Sequence, residues 1–151
     1  MEDPNQEKKS RFDLQPHYIE WGLTALGVIV ACVLVVFVLL ILLAFGAAVF
    51  AYTQGYGFPT QESVAKELLA NPSGSNALFS KDVEDVDSLT GPIVTDSSAE
   101  VLGVDKSMSN STVYVKATTD QGGEVQYKIS MVRDLIGWKI SNVELYFPSQ
   151  N

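Results

Sequence analysis

The chain has little with which to do chemistry. Its 151 residues hold a single cysteine, Cys32, and a single histidine, His17. One cysteine excludes an intrachain disulfide, and one Cys with one His supplies no ligand set for zinc. Cys32 lies inside an apolar run, where it reads as an ordinary lipid- or helix-facing residue. There is no glycine-rich phosphate loop and no nucleophile elbow. Tyr, Asp and Lys are present, but their spacing marks no acid–base pair. The expectation is a protein that is not an enzyme and that carries neither metal nor cofactor.

A second absence is more informative. From Gly22 to Ala51 there is no Asp, Glu, Lys, Arg, His, Asn or Gln. A membrane-spanning helix needs roughly 20 apolar residues. At about 1.5 Å per residue this run could reach roughly 45 Å. A cleaved signal peptide has an apolar region of roughly 7–15 residues, about half of what is here. The run therefore predicts an uncleaved transmembrane helix over residues 21–52, a signal-anchor. Tyr18 and Trp21 at one end, with Tyr52 and Tyr56 at the other, suit interfacial aromatic belts. Lys8, Lys9 and Arg11 precede the run, and the next cation is Lys66, so the N-terminus is expected in the cytoplasm and the rest outside it. Small residues four apart, as at Gly27 and Ala31 or Ala44 and Ala48, would let helices approach closely and offer a route to a homo-oligomer.

Around the anchor the chain divides further. Residues 1–20 read as a disordered cytoplasmic tail, 53–60 as a linker, 61–147 as a small extracytoplasmic domain and 148–151 as a polar tail. From Thr53 onward seven cations face thirteen acids, a net charge of −6. That balance argues against nucleic acid. It leaves the bilayer and another membrane protein or complex as the expected partners.

The outer segment begins with a helical pattern and changes period. In "PTQESVAKELLAN" Val64, Ala65, Leu68 and Leu69 form one apolar stripe, Thr60 or Ser63 can cap the start, and Asn71-Pro72 ends it. "NALFSKDVEDVDSLTG" predicts a second short helix broken near Ser80, with Asp82 near its start and Gly91-Pro92 as the stop. Beyond Pro92 the period is two. "AEVLGVD" is a strand weakened by Gly103. "STVYVKATT" puts Val113, Val115 and Ala117 on one side and Tyr114 on the other. "DQGGE" is a hairpin turn. "EVQYKISMV" puts Val125, Tyr127, Ile129 and Met131 on one side.

In the last strand Trp138 and Ile140 have one parity, and Val143, Leu145 and Phe147 the other. One inserted residue near Ser141-Asn142 would bring all five to one face, which predicts a β-bulge or sharp bend there, the alternative being a strand buried on both faces. The fold class expected is α+β: one N-terminal transmembrane helix, then one or two helices packed on an antiparallel meander of three or more strands.

Few residues stand out as sites. Asp82, Glu84, Asp85 and Asp87 are the one carboxylate cluster, and they lack the spacing and central glycine of a calcium loop. Asn110-Ser111-Thr112 fits the acceptor pattern for N-glycosylation. Tyr114, Tyr127 and Trp138 are the candidate interaction surface. They would line a pocket if the sheet curled over the helices into a cone resembling the nuclear-transport-factor-two-like fold, which makes a tethered ligand-binding module the alternative function.

"ESVAKELLAN", "LTGPIV" at Leu89 to Val94, the alternating strand, the "GG" hairpin and "GWKISNVEL" together resemble the cytochrome oxidase assembly protein one family, over residues 60–147. That family is related to an accessory subunit of the mitochondrial inner-membrane translocase. The resemblance implies a single anchor, a small α+β domain beyond the membrane, and a non-enzymatic accessory or assembly role at a membrane complex such as a respiratory oxidase. It carries no catalytic residues over. The acidic start "MEDPNQE" is unlike an Arg-rich presequence and points to a bacterial cytoplasmic membrane rather than a mitochondrial one.

Overall fold

A computed structural model describes residues 15–149. The expected disordered tail lies mostly outside the described residues, as do Lys8, Lys9 and Arg11. The fold is α+β. Helix α1 runs Gln15–Thr53, α2 Gln61–Ala70 and α3 Val86–Thr90, and four strands follow: β1 Glu100–Lys106, β2 Asn110–Thr118, β3 Glu124–Asp134 and β4 Gly137–Leu145. The strands form one antiparallel sheet in the order β1-β2-β3-β4, a simple meander.

Helix α1 starts earlier than expected, inside the stretch read as tail. Pro16 does not oppose this, because the first turn of a helix leaves its N–H groups unpaired anyway. Its end is sharply made. Gly55 has φ +85° and donates to Tyr52 O, while Tyr56 donates to Ala51 O. This is a Schellman ending, in which glycine takes the left-handed position and the last carbonyls are satisfied. The chain divides into two units, one up to Ala47 and one from Ala48 onward, so the last turn of α1 belongs with the sheet domain.

Helix α2 forms as its pattern requires. Thr60 Oγ1 accepts from the Ser63 N–H at 3.3 Å, and Asn71, held before Pro72, terminates the helix. Val64, Ala65, Leu68 and Leu69 are buried against the sheet. From the other side Val113, Val115 and Ala117 of β2, Tyr127, Ile129 and Met131 of β3, and Trp138 and Ile140 of β4 complete the core. Full burial of each large apolar side chain is worth about 1.5–3 kcal/mol, so this one layer of helix on sheet carries most of the stabilisation.

The expected second short helix is present but shorter than its pattern, with the break near Ser80 and the stop at Gly91 where they were expected. Asn76–Leu78 is a single 3₁₀ turn and only Val86–Thr90 is α-helical. Between them Phe79 is extended and forms a parallel bridge with Ile140, with Ser80 N donating to Ile140 O at 2.8 Å. The free edge of β4 takes this segment as a short extra partner, which outweighs its weak helical pattern. The helix therefore starts beyond Asp82, capped by Asp85, whose Oδ1 accepts from Ser88 N at 3.1 Å.

The bulge in β4 is present. Met131 pairs with Ile140 and Ser130 with Asn142, so Ser141 is the extra residue. It brings Val143 round to pack on the core beside Ile140. It does not bury the other two: Leu145 is 51% exposed and Phe147, beyond the strand, is 81% exposed. A second bulge at Leu102, between Val101 and Gly103, disrupts the outer edge of β1. Such kinks discourage edge-to-edge pairing.

Candidate interaction surface

The side chain that organises one end of the domain is Arg133, at the end of β3. Its Nε donates to Met108 O at 2.5 Å, Nη1 to Tyr56 O at 3.0 Å and Nη2 to Tyr52 O at 3.1 Å. Its backbone N–H donates to Ser109 O at 2.9 Å. The guanidinium lies between two rings, with Cζ 4.1 Å from the Tyr52 centroid and 4.5 Å from that of Trp138. A planar fork with five donors can serve three carbonyls and two aromatic faces at once, where a lysine could not. Arg133 thereby binds the last turn of α1, the linker and the β1–β2 turn to the sheet. Alongside, the Lys106 ammonium sits 4.6 Å above the Tyr56 ring.

The linker is threaded closely through this end. Phe58 N donates to Ile136 O at 2.8 Å. A Cβ at Gly57 would lie 2.6 Å from Ile136 O and 2.9 Å from Trp138 Nε1, and one at Gly137 would lie 2.7 Å from Phe58 O. The backbones meet at distances that only glycine permits. Gln61 Nε2, buried, donates to Gly55 O at 2.7 Å and fixes the same linker from α2.

The three aromatic residues expected to share a surface do not share one. Tyr127 and Trp138 are buried on the core face of the sheet, and Tyr114 stands on the opposite, solvent face. The reason is the period of two: Tyr114 alternates with Val113 and Val115, which face the core with Tyr127. The Tyr127 hydroxyl serves the fold, accepting from Val94 N at 2.8 Å and so pinning the segment that links α3 to β1. The Trp138 indole N–H is buried and unpaired. The concave face that a cone would need for its pocket is filled by Val64, Leu68 and Leu69 of α2. A cleft of about 690 Å³ lies on the surface instead, beside Phe79, Asp82 and Lys139. Its Arg133 is committed as described, and the Lys139 ammonium donates to Ala77 O.

The solvent face of the sheet is the broad surface left open. Tyr114 packs there on Tyr146, ring centroids 4.9 Å apart. Around them Lys116 bridges Glu100 at 3.2 Å and Glu124 at 3.4 Å, and Lys128 reaches Glu144 at 3.7 Å. The Glu100 and Glu124 carboxylates push the Lys116 ammonium above its ordinary pKa. No local pattern marks Tyr146 as a surface residue of interest. It follows Leu145, the end of β4, and its pairing with Tyr114 comes only from sheet register. At the edge of the domain Asp96 accepts from Thr118 N at 2.8 Å and from Ser98 N and Oγ, which lowers its carboxyl below the usual range. Asn110 opens β2 with its side chain exposed.

The layout that emerges is that of a single-pass membrane protein: one helix, Glu20–Thr53, is long and apolar enough to cross a bilayer among the described residues. A small α+β domain follows it. Comparison with protein-family models, curated proteins and solved structures finds no match to the chain.

Proposed function

We propose that the protein is a membrane-anchored, non-enzymatic accessory or assembly factor whose domain holds another membrane protein from the extracytoplasmic side. Arg133 holds Tyr52 and Tyr56 to the sheet, so the folded domain includes the segment that leaves the helix. The observation that carries this reading is the open sheet face of a small domain that follows a membrane-spanning helix in the same chain. Such a face suits a partner embedded in the same membrane. That face offers two tyrosines in tilted ring contact, Tyr114 and Tyr146, within a rim of paired charges, a composition favoured at protein interfaces. The domain's net charge of −6 suits a partner surface with basic character. Lys8, Lys9 and Arg11 before the apolar run support a cytoplasmic N-terminus, and the acidic stretch "MEDPNQE" supports a bacterial membrane over a mitochondrial one. The resemblance of residues 60–147 to oxidase assembly factors makes a respiratory oxidase the first complex to test.

The test is site-specific photocrosslinking in intact membranes. A crosslinker at Tyr114 should trap one defined membrane protein, and the same group at Gln121, in the β2–β3 turn, should not. Equal and diffuse crosslinking at both positions rejects the assignment of the sheet face. Protease added to intact spheroplasts should remove the domain and spare the leader; the reverse pattern rejects the orientation.

A further inference from the structure

The hairpin tips at the end of the sheet that receives the last turn of α1 carry the wrong residues for water. The β3–β4 turn is Leu135-Ile136, between the paired Asp134 and Gly137. Two-residue hairpin turns favour Gly, Asn or Asp, because the first turn residue commonly takes positive φ. Leu135 holds φ 55° there, and is 83% exposed. Ile136 beside it is 67% exposed, and Phe58, whose N–H bonds to Ile136 O, is 79% exposed. Met108, in the β1–β2 turn that Arg133 holds, is 53% exposed. At the opposite end the β2–β3 turn, Thr119-Asp120-Gln121-Gly122-Gly123, holds no apolar side chain, and the exposed Leu145 and Phe147 there come from one segment alone, the end of β4 and the residues just after it. Four apolar side chains from three separate segments thus gather at one end of the domain.

We infer that Phe58, Met108, Leu135 and Ile136 form a second membrane contact, seated in the interfacial layer of the bilayer that α1 spans. The occupant is argued from chain connection. The apolar run of α1 ends at Ala51, and its roughly 45 Å of helix matches the about 40–45 Å of a bilayer with its headgroups. The membrane surface then falls at Tyr52 and Tyr56, aromatic residues of the kind found at that level. Phe58 follows Tyr56 by two residues, and the same Arg133 that bonds both tyrosine carbonyls bonds Met108 and belongs to the strand that ends at the Leu135 turn. Lys106, Arg133 and Asp134 stand behind the tips and limit the depth to the headgroup boundary. Binding by apolar insertion also accords with a domain whose net charge of −6 would be repelled by anionic lipid. The contact rests on α1 as a membrane span but not on the identity of any protein partner.

The experiment uses the full chain with Cys32→Ala, reconstituted in phosphatidylcholine vesicles. Single cysteines, Leu135→Cys or Gln121→Cys, carry an environment-sensitive fluorophore. Lipid spin-labelled near the headgroup should quench the probe at position 135 several-fold more than at 121, and aqueous iodide should do the opposite. Equal iodide access at the two positions overturns the inference, since the tip then faces water. Shielding at 135 from both quenchers also overturns it, in favour of a protein or a second copy as the occupant. Vesicle flotation of the same samples reports the anchor separately: a chain that floats while position 135 stays open to iodide has lost this contact but kept its span.

Discussion

The Tyr52 carbonyl accepts from Arg133 Nη2 at 3.1 Å while the ring of the same tyrosine stacks on that guanidinium at 4.1 Å. The two residues stand 81 positions apart in the chain. Through this pair the point where the helix ends and the point where β3 ends become one joint.

Arg133→Ala should loosen that joint. It takes the arginine donor from the Met108 and Tyr56 carbonyls, leaves Tyr52 O with the Gly55 N–H alone, and removes a cation from between two rings, and a loss of about 2 kcal/mol is expected for such a cluster. Arg133→Lys should recover less than half, because an ammonium cannot reach all three acceptors. Amide hydrogen exchange of residues 52–58 in detergent-solubilised full chain measures it, with faster exchange in Ala than in Lys and in Lys than in the native protein.

The close linker crossing makes Gly137→Ala and Gly57→Ala costly. Each new methyl would meet a backbone carbonyl at 2.7 Å or less, and displacement of the linker should cost about 1–3 kcal/mol. Gly103→Ala is the matched control, since a Cβ there meets nothing within 4 Å. Urea midpoints followed by tryptophan fluorescence should fall for the first two and stay within error for the third.

Tyr127→Phe keeps the buried ring and removes only the hydroxyl that takes the Val94 N–H. A loss of about 1–2 kcal/mol is expected, because a part-buried donor is left unpaired. The same denaturation curves report it, and the slope with denaturant should not change.

Acid should act through Asp96. Its carboxyl is depressed, chiefly by the Thr118 N–H and then by Ser98, so the charged form favours the folded state. That contribution is fully present above the ordinary carboxylate range near pH 4 and disappears as the pH falls through the lower folded value. Asp96→Asn should therefore flatten the pH dependence of stability below about pH 4. A slope equal to that of the native chain would assign the acid response to other carboxylates.

Much of this architecture is written locally. A run without charge makes α1, Thr60 and Asn71-Pro72 bound α2, and the parity change between Ile140 and Val143 announces the bulge at Ser141. These features depend on neighbours within a few residues, where helix and strand periods and capping chemistry operate. Three others were illegible for the opposite reason. Residues 79–85 follow no helix because Ile140, far along the chain, supplies a better partner for Phe79. Tyr114 and Trp138 look alike as exposed or buried aromatics until register puts them on opposite faces. Leu145 and Phe147 carry an apolar pattern but lie outside the core to which Val143 contributes.

By itself the order of residues determined an apolar rod, a capped helix and a meander of three or more strands, since each arises from short-range sterics and the alternation of apolar side chains. Tertiary structure alone decided that Arg133 should join Tyr52, Tyr56 and Met108, and that the Leu135 turn should stand beside Phe58. Those juxtapositions come from sheet register and the return of the chain over large separations, which no local pattern encodes.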